Sequence, residues 1–302
     1  MKQTLYNLIS RNKWRTFFFI LVFSLLLGLI GYVLAQIFSW GIEFYFLFGL
    51  IIIFYNLILY YNSDKLALTF SGAKPASPEQ YIQLHNIVEE VSIGAGIPKP
   101  KVYVMPDPMP NAFATGRNPK NASVAVTEGL LSMMNREELQ GVIAHEIAHI
   151  RNYDILLMTI AAIIGGLIIL FRDIFLRSMW FGGRSRSRSS QKGNSGAIFM
   201  IIGIALAIVA PILVLLIRSA ISREREYLAD ASGAYILRYP HGLSSALAKL
   251  GNYKGKMQNS SDATAHLYIA NPLGKDRMSV SNLFSTHPPL QKRVQRLNEL
   301  VI

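Results

Sequence analysis

The chain has no cysteine at all. That excludes a disulfide framework and any thiolate-held metal, so a metal site here must be built from nitrogen and oxygen donors. Charge is scarce as well: charged residues make up 16% and apolar residues 51%, a membrane-protein balance rather than a soluble one. Acids are the scarcer sign, 18 against 30 bases, which leaves a net charge of +12. An excess of that size invites a nucleic-acid reading. No stretch sets basic residues among interleaved aromatics on a recognisable nucleic-acid module, so the basicity reads as membrane-surface and topology charge, with no nucleic-acid partner.

The sparsest stretch comes early. Met1–Arg15 carries Lys2, Arg11, Lys13 and Arg15 and no acid, and from Phe17 to Tyr61 the only charge is Glu43. One span takes about 20 residues, so this length predicts two, Phe17–Leu34 and Phe44–Tyr60, with a turn near Ser39–Glu43. A cleaved signal peptide would show a shorter run and a small-residue cleavage site. The basic flank puts the N-terminus in the cytoplasm, and two spans return the chain there near Asn62. Two more apolar runs follow, Ile155–Phe171 and Ala197–Ile217, on either side of the basic stretch Arg172–Gly196. The prediction is therefore four hydrophobic segments in four parts. Residues 1–61 are a two-span anchor, 62–154 the first half of a protease-like domain, 155–217 a hydrophobic hairpin and 218–302 the second half. If the hairpin crosses fully, its basic loop lies outside, against the positive-inside tendency; hydrophobic length is taken as the stronger signal.

Between the apolar runs the pattern is mixed. Pro78–Ile93 reads as an amphipathic helix, with Ile82, Ile87 and Val91 among polar residues and Gly94 and Gly96 at its end. Lys101–Met105, Asn111–Thr115 and Ser123–Thr127 read as strands, the last two joined by Gly-Arg-Asn-Pro-Lys-Asn. An edge strand there could hold an extended peptide by main-chain hydrogen bonds. Arg218–Tyr239 is helical in pattern. Lys256–Ser285 is irregular and is expected to be mobile. Pro289–Ile302 closes as an amphipathic helix with Leu290, Val294, Leu297 and Leu300 on one side.

The chemistry gathers at His145-Glu146-Ile147-Ala148-His149. On a helix the two histidines, four apart, share one face and can bind one metal through imidazole nitrogens. The glutamate between them stands where it can take a proton from a water. Asn135 and Glu138 form a capping-box pattern at the start of that helix. His149 lies six residues before the apolar run at Ile155, roughly 9 Å of continuous helix, so the metal belongs near the bilayer surface. A catalytic site needs a third ligand. Glu226 and Asp230, four apart in Ser-Arg-Glu-Arg-Glu-Tyr-Leu-Ala-Asp, suit one carboxylate on the metal and one accepting from a ligating imidazole.

Taken together, these motifs closely resemble the HtpX family of membrane-embedded zinc metalloproteases, gluzincins related to the CAAX prenyl proteases. The likeness covers nearly the whole chain: the two-span start, Asn-Ala-Phe-Ala at 111–114, His145–His149, the hydrophobic hairpin, Glu226–Asp230 and Ser-Thr-His-Pro at 285–288. It implies an α-helical membrane protein with a mostly α (α+β) zincin-like protease domain on the cytoplasmic side of a bacterial inner membrane. It implies one zinc held by His145, His149 and Glu226, with Asp230 orienting His145. It places Asn111, Ala112, Phe113 and Ala114 along the substrate cleft and His287 near the scissile bond. The implied role is cleavage of membrane proteins or unfolded polypeptides in quality control.

Read from the residues alone, two of these positions have a second meaning. His287 can be a donor to an oxyanion or simply part of a His-Pro turn. Asn111 can bind substrate backbone or serve as a turn residue after Pro106–Pro110. Two other functions also fit an H-E-x-x-H in a membrane chain. A metal transporter would carry acids or histidines inside its apolar runs, and only Glu43, in a turn, comes close. A scaffold with a structural zinc would need a fourth protein ligand, which no spacing here supplies.

Overall fold

The computed structural model describes residues 5–164, 223–258, 260, 265–273 and 288–301. Helices α1 (Leu5–Phe38) and α2 (Ile42–Phe70) come first. Within them, Ser10–Leu29 and Ile42–Phe70 are long and apolar enough to cross a membrane. Their outer faces leave Phe17, Phe18, Leu25, Phe46, Ile53 and Phe54 exposed, a surface that suits lipid rather than water. The helices run past the predicted limits. In particular, α2 does not end near residue 61: it continues to Phe70, and Ala67 and Leu68 pack with Met105, Phe113 and Ala125. The second candidate span and the segment packed against the sheet thus form one unbroken helix.

Four strands follow: β1 (Lys74–Pro75), β2 (Lys101–Met105), β3 (Ala112–Asn118) and β4 (Asn121–Thr127), in the order β1-β2-β4-β3. β2 and β4 are parallel; the other pairs are antiparallel. Among the described residues β3 lies at the edge of the sheet. The β3–β4 connection is tighter than the sequence suggests, because Gly116 and Asn118 still pair across it. Gly116 has φ 137° and a Cβ there would lie 2.3 Å from the Asn121 carbonyl oxygen, so only glycine fits. Helix α3 (Ile82–Ala95) starts four residues later than predicted and ends on Gly96 in the left-handed conformation. Ile82 lies on its solvent side; Leu84, Ile87, Val88 and Val91 face the core.

After the short α4 (Glu128–Met133), helix α5 (Arg136–Arg151) carries the H-E-x-x-H and runs through the centre of the fold. Asn135 and Glu138 close the capping box at its start. Its neighbours are α3, the sheet, α7 (Arg223–Leu237) and α8 (His241–Asn252). Two glycines allow this crowding. A Cβ at Gly141 would meet the Leu243 nitrogen at 2.4 Å, and one at Gly233 would sit 3.0 Å from the His145 nitrogen. α7 therefore lies directly against the turn that bears the first histidine. The final helix, α9 (Leu290–Asn298), presents Leu290, Val294 and Leu297 to the same core.

α5 does not continue straight into the next apolar run. The chain turns at Asn152 and Tyr153, where Tyr153 takes φ 59°, and α6 (Asp154–Ile164) leaves at 90°. Leu157, Ile160, Ala161 and Ile164 then pack with Phe19, Phe23 and Leu59 of the membrane helices. Residues 165–222, which hold the rest of the predicted third span and all of the fourth, lie outside the described residues. The irregular segment near 266–270 is not loose: His266, Leu267, Tyr268, Ile269 and Ala270 are buried.

Candidate metal centre

One turn of α5 places His145 and His149 with their rings edge to face and their Nε2 atoms 3.2 Å apart. Glu226, one turn into α7, brings Oε1 to 3.4 Å from His149 Nε2 and Oε2 to 3.8 Å from His145 Nε2. All three residues are buried, and their candidate donor atoms lie within 4.8 Å of one another. The far side of each ring meets a carboxylate. His145 Nδ1 is 3.0 Å from Asp230 Oδ1, and His149 Nδ1 is 3.1 Å from Asp154 Oδ2. If each Nδ1–H donates outward, both Nε2 lone pairs point inward, at each other and beside Glu226 oxygens. Acceptors gathered in this way, out of water, call for a cation between them.

The two rings feel opposite fields, and around His149 the acids favour positive charge. Burial and the Arg293 cation push His145 down to about 4, which keeps it neutral. Burial also opposes charge on His149, but Asp154 and Glu226 outweigh it and raise it to about 10. Glu146 is pushed up to about 7, chiefly by burial with Glu226 adding to it, while an N–H of Ala114 bonds its carboxylate. Asp230 stays below the ordinary carboxylate range despite its burial, because Arg293 and His145 bind it.

The structure brings together five of the predicted residues: His145, Glu146, His149, Glu226 and Asp230. In the predicted cleft segment Asn111–Ala114, the side chains of Asn111 and Phe113 have partners within the fold. Asn111 is fully buried; its Nδ2 donates to the Ala270 carbonyl at 2.9 Å and its Oδ1 accepts from the Ala270 nitrogen at 3.2 Å. The side chain is thus used to hold the chain's own backbone, and Ile269 N adds a bond to the Ala112 carbonyl at 3.0 Å. Phe113 is a core residue set edge-on against Tyr268. Neither side chain lines an open cleft. His287 lies outside the described residues.

Three further residues belong to the site and were not singled out in the sequence. Asp154, the partner of His149, also accepts from Asn12 Nδ2 at 2.7 Å, so Asn12 of helix α1 reaches the histidine through one carboxylate. Arg293 of α9, with no exposed surface, forks onto Asp230 at 2.8 and 2.7 Å. It also reaches Glu226 Oε2 at 3.4 Å, the His145 ring at 3.3 Å and the Ile269 carbonyl at 3.1 Å. Asp154 could have been found as the first acid after the motif. Arg293 had one local signal: a cation among Leu290, Val294 and Leu297 on a small amphipathic helix.

Comparison with known proteins gives the chain its family. The model for peptidase family M48 matches residues 78–301. A protease HtpX homolog of Caldanaerobacter subterraneus subsp. tengcongensis is 58% identical, over 100% of this chain and 99% of its own length. One from Thermoanaerobacter pseudethanolicus is 56% identical over the same shares, 100% and 99%. A crystal structure of Ste24p from S. mikatae aligns with a TM-score of 0.49 at 20% identity, covering 90% of this chain and 62% of that one. With the family model matched over most of its length and relatives of more than half identity from end to end, the chain belongs to peptidase family M48, as a membrane metalloendopeptidase of the HtpX type.

Proposed function

We propose that this endopeptidase uses zinc, held by His145, His149 and Glu226, to cleave membrane proteins and unfolded polypeptides as part of membrane-protein quality control. The observation that carries the reading is the convergence of two imidazole nitrogens and a buried carboxylate beside Glu146. Zinc suits that donor set in size as well as kind. Two Zn–N bonds of about 2.0–2.1 Å at a tetrahedral angle set their nitrogens about 3.3 Å apart, and the two Nε2 atoms are 3.2 Å apart. Among the described residues three donors gather rather than four, which favours a catalytic over a structural site.

When bound, zinc supplies Lewis acidity and lowers the pKa of a water to about 7. The chain's own groups do the rest. Glu146 accepts the proton released as the water oxygen bonds to the peptide carbonyl carbon, then delivers it to the amide nitrogen as the C–N bond breaks. Asp230 and Asp154 hold the two rings in the tautomer that turns Nε2 inward. Arg293 fixes Asp230 and offsets the charge of Glu226. Substrate binding is assigned to the main chain of the β3 edge from the Ala114 carbonyl onward, since the groups at Asn111 and Ala112 are already bonded to residues 269–270 and the Ala114 N–H to Glu146.

The preference for membrane substrates rests on position. Asp154, in contact with His149, is the first residue of α6, which packs against both candidate spans. Residues 62–154 and 218–302 act as two halves of one protease unit, a reading supported by the contact of α5 with α7 and α8. Because His149 and Glu226 stand at one site, the chain between them leaves and returns on the same membrane face. The basic N-terminal flank favours the cytoplasmic side of a bacterial inner membrane. The test uses the purified full chain in detergent with an unfolded polypeptide, with added zinc, with a chelator, and as Glu146→Gln. Zinc-dependent cleavage that disappears in the variant is expected; equal cleavage by Glu146→Gln would reject the assignment.

A further inference from the structure

Arg225 is left unexplained by proteolysis. Its side chain is only 6% exposed, yet Nε, Nη1 and Nη2 are all buried without a hydrogen-bond partner among the described residues. A guanidinium out of water with nothing to donate to is strongly unfavourable, so an acceptor belongs there. The nearest acid among the described residues is Asp154, whose Oδ1 is 3.6 Å from Arg225 Nε, beyond hydrogen-bond range. That carboxylate is also committed: Oδ1 accepts from Asn12 at 2.7 Å and Oδ2 faces His149 at 3.1 Å. Of its other charged neighbours, Arg11 and Arg15 repel it, and the acid Glu226 is turned to the two histidines. Asn12, bonded to the Asp154 carboxylate, brings Arg11 beside it and Arg15 one helical turn on to this end of α1.

The place of this cluster says which anion it suits. Arg11 and Arg15 are exposed and stand at the start of the span Ser10–Leu29. Trp14, 69% exposed, lies between them, and Phe17 and Phe18 follow on the outside of the helix. Basic residues beside an exposed tryptophan mark the headgroup level of a bilayer. A phosphodiester there offers the oxygen pair that a guanidinium fork fits. We propose that Arg225, Arg11 and Arg15 form a seat for the phosphodiester headgroup of an acidic phospholipid, beside Asp154 and hence at the foot of the histidine pair. Soluble phosphate has the same chemistry, but two exposed arginines at the head of a span favour the lipid, whose phosphate is held at that depth.

The experiment reads lipid binding, not proteolysis. The full chain is purified in detergent, washed free of lipid, and its thermal midpoint is measured with phosphatidylglycerol, with phosphatidylcholine at the same mole fraction, or with inorganic phosphate. Retained lipid is counted by native mass spectrometry. Phosphatidylglycerol should raise the midpoint by several degrees and be retained; phosphatidylcholine should do less of both. Arg225→Met should lose most of the shift while its lipid-free midpoint stays at or above that of the parent, since it removes a buried guanidinium that makes no hydrogen bond among the described residues. Should Arg225→Met not fold, the exposed pair Arg11→Gln with Arg15→Gln is expected to lose most of the shift instead. A full phosphatidylglycerol response in whichever variant folds overturns the proposal. So does an equal response to the two lipids, or a shift reproduced by inorganic phosphate with no lipid retained.

Discussion

Replacing Asp154 by asparagine leaves the side-chain volume almost unchanged and removes one charge from a position that is 1% exposed. The carboxylate now accepts on both sides, from His149 Nδ1 at 3.1 Å and from Asn12 Nδ2 at 2.7 Å. An amide cannot do both. With its oxygen toward His149, its NH2 meets the Asn12 NH2, donor against donor. Turned over, it donates to His149 Nδ1, which moves the ring proton to Nε2 and removes the inward lone pair. Either outcome harms the metal site. Loss of an outer partner of this kind typically lowers metal affinity 10–100-fold, or about 1.4–2.7 kcal/mol. The conflict on both faces puts Asp154→Asn toward the upper end. The assay is zinc competition against a chromogenic chelator on the purified full chain. A rescue sharpens it: with Asn12→Asp added, the amide at position 154 can donate to the carboxylate now at position 12 while its oxygen still accepts from His149. Part of the affinity should return, though not all, because Asn12 also donates to the Asn152 carbonyl at 2.9 Å. An affinity for Asp154→Asn within about threefold of the parent would refute the reasoning, on the scale just cited.

Three other outcomes follow from the same geometry. Glu146→Gln should bind metal normally while hydrolysis falls by about 10²–10⁴-fold, the usual contribution of a general base; metal analysis beside a turnover assay separates the two. Arg293→Met leaves Asp230 and Glu226 buried without their cation, so the chain should lose about 3–5 kcal/mol of stability in denaturant unfolding, and Arg293→Lys should not restore it because a point charge cannot fork. For the segment between α6 and α7, Ser187→Cys in this cysteine-free chain should be labelled by an impermeant thiol reagent on intact cells while Ser260→Cys is not; labelling of both only after the cells are opened would reject the crossing hairpin.

Much of the fold was legible because its local signals agree with its tertiary contacts. The capping box at Asn135 and Glu138, the strand Lys101–Met105 and the Leu290–Val294–Leu297 face of α9 each have periodicity and burial pointing the same way. The site was legible wherever a spacing of four on one helix carried the geometry, as for His145 and His149 and for Glu226 and Asp230. What was missed comes from contacts between distant segments. Asn12 meets Asp154 across 142 residues, and Arg293 meets His145 across 148. No window of sequence contains such pairs. The bend at Tyr153 was missed for a different reason: a non-glycine residue at φ 59° has no sequence signature, so the pattern read as continuous helix. At Asn111 the motif drew attention to a side chain whose bonds to Ala270 no local pattern announces.

The same long-range contacts argue that the membrane helices are part of the catalytic unit and not only its tether. A chain begun at residue 62 keeps every proposed ligand, Glu146 and the whole sheet. It loses the Asn12 donor to Asp154, together with Phe19, Phe23 and Leu59, which cover Leu157, Ile160 and Ala161 of α6. It also cuts α2 in the middle of a helix that runs on to Phe70 and anchors Ala67 and Leu68 under β3. Exposed leucine and isoleucine on α6 would favour aggregation, and Asp154 would be left with Arg225 as a competing partner 3.6 Å away. The truncated chain is therefore expected either to precipitate or, if held in detergent, to bind zinc more weakly than the full chain by about the factor assigned to an outer partner, 10-fold or more. Equilibrium zinc competition on the two chains, in the same detergent, decides it. A soluble truncated chain with undiminished affinity would mean that α1 and α2 serve as an anchor alone, and that the bond from Asn12 to Asp154 contributes nothing to holding His149 in place.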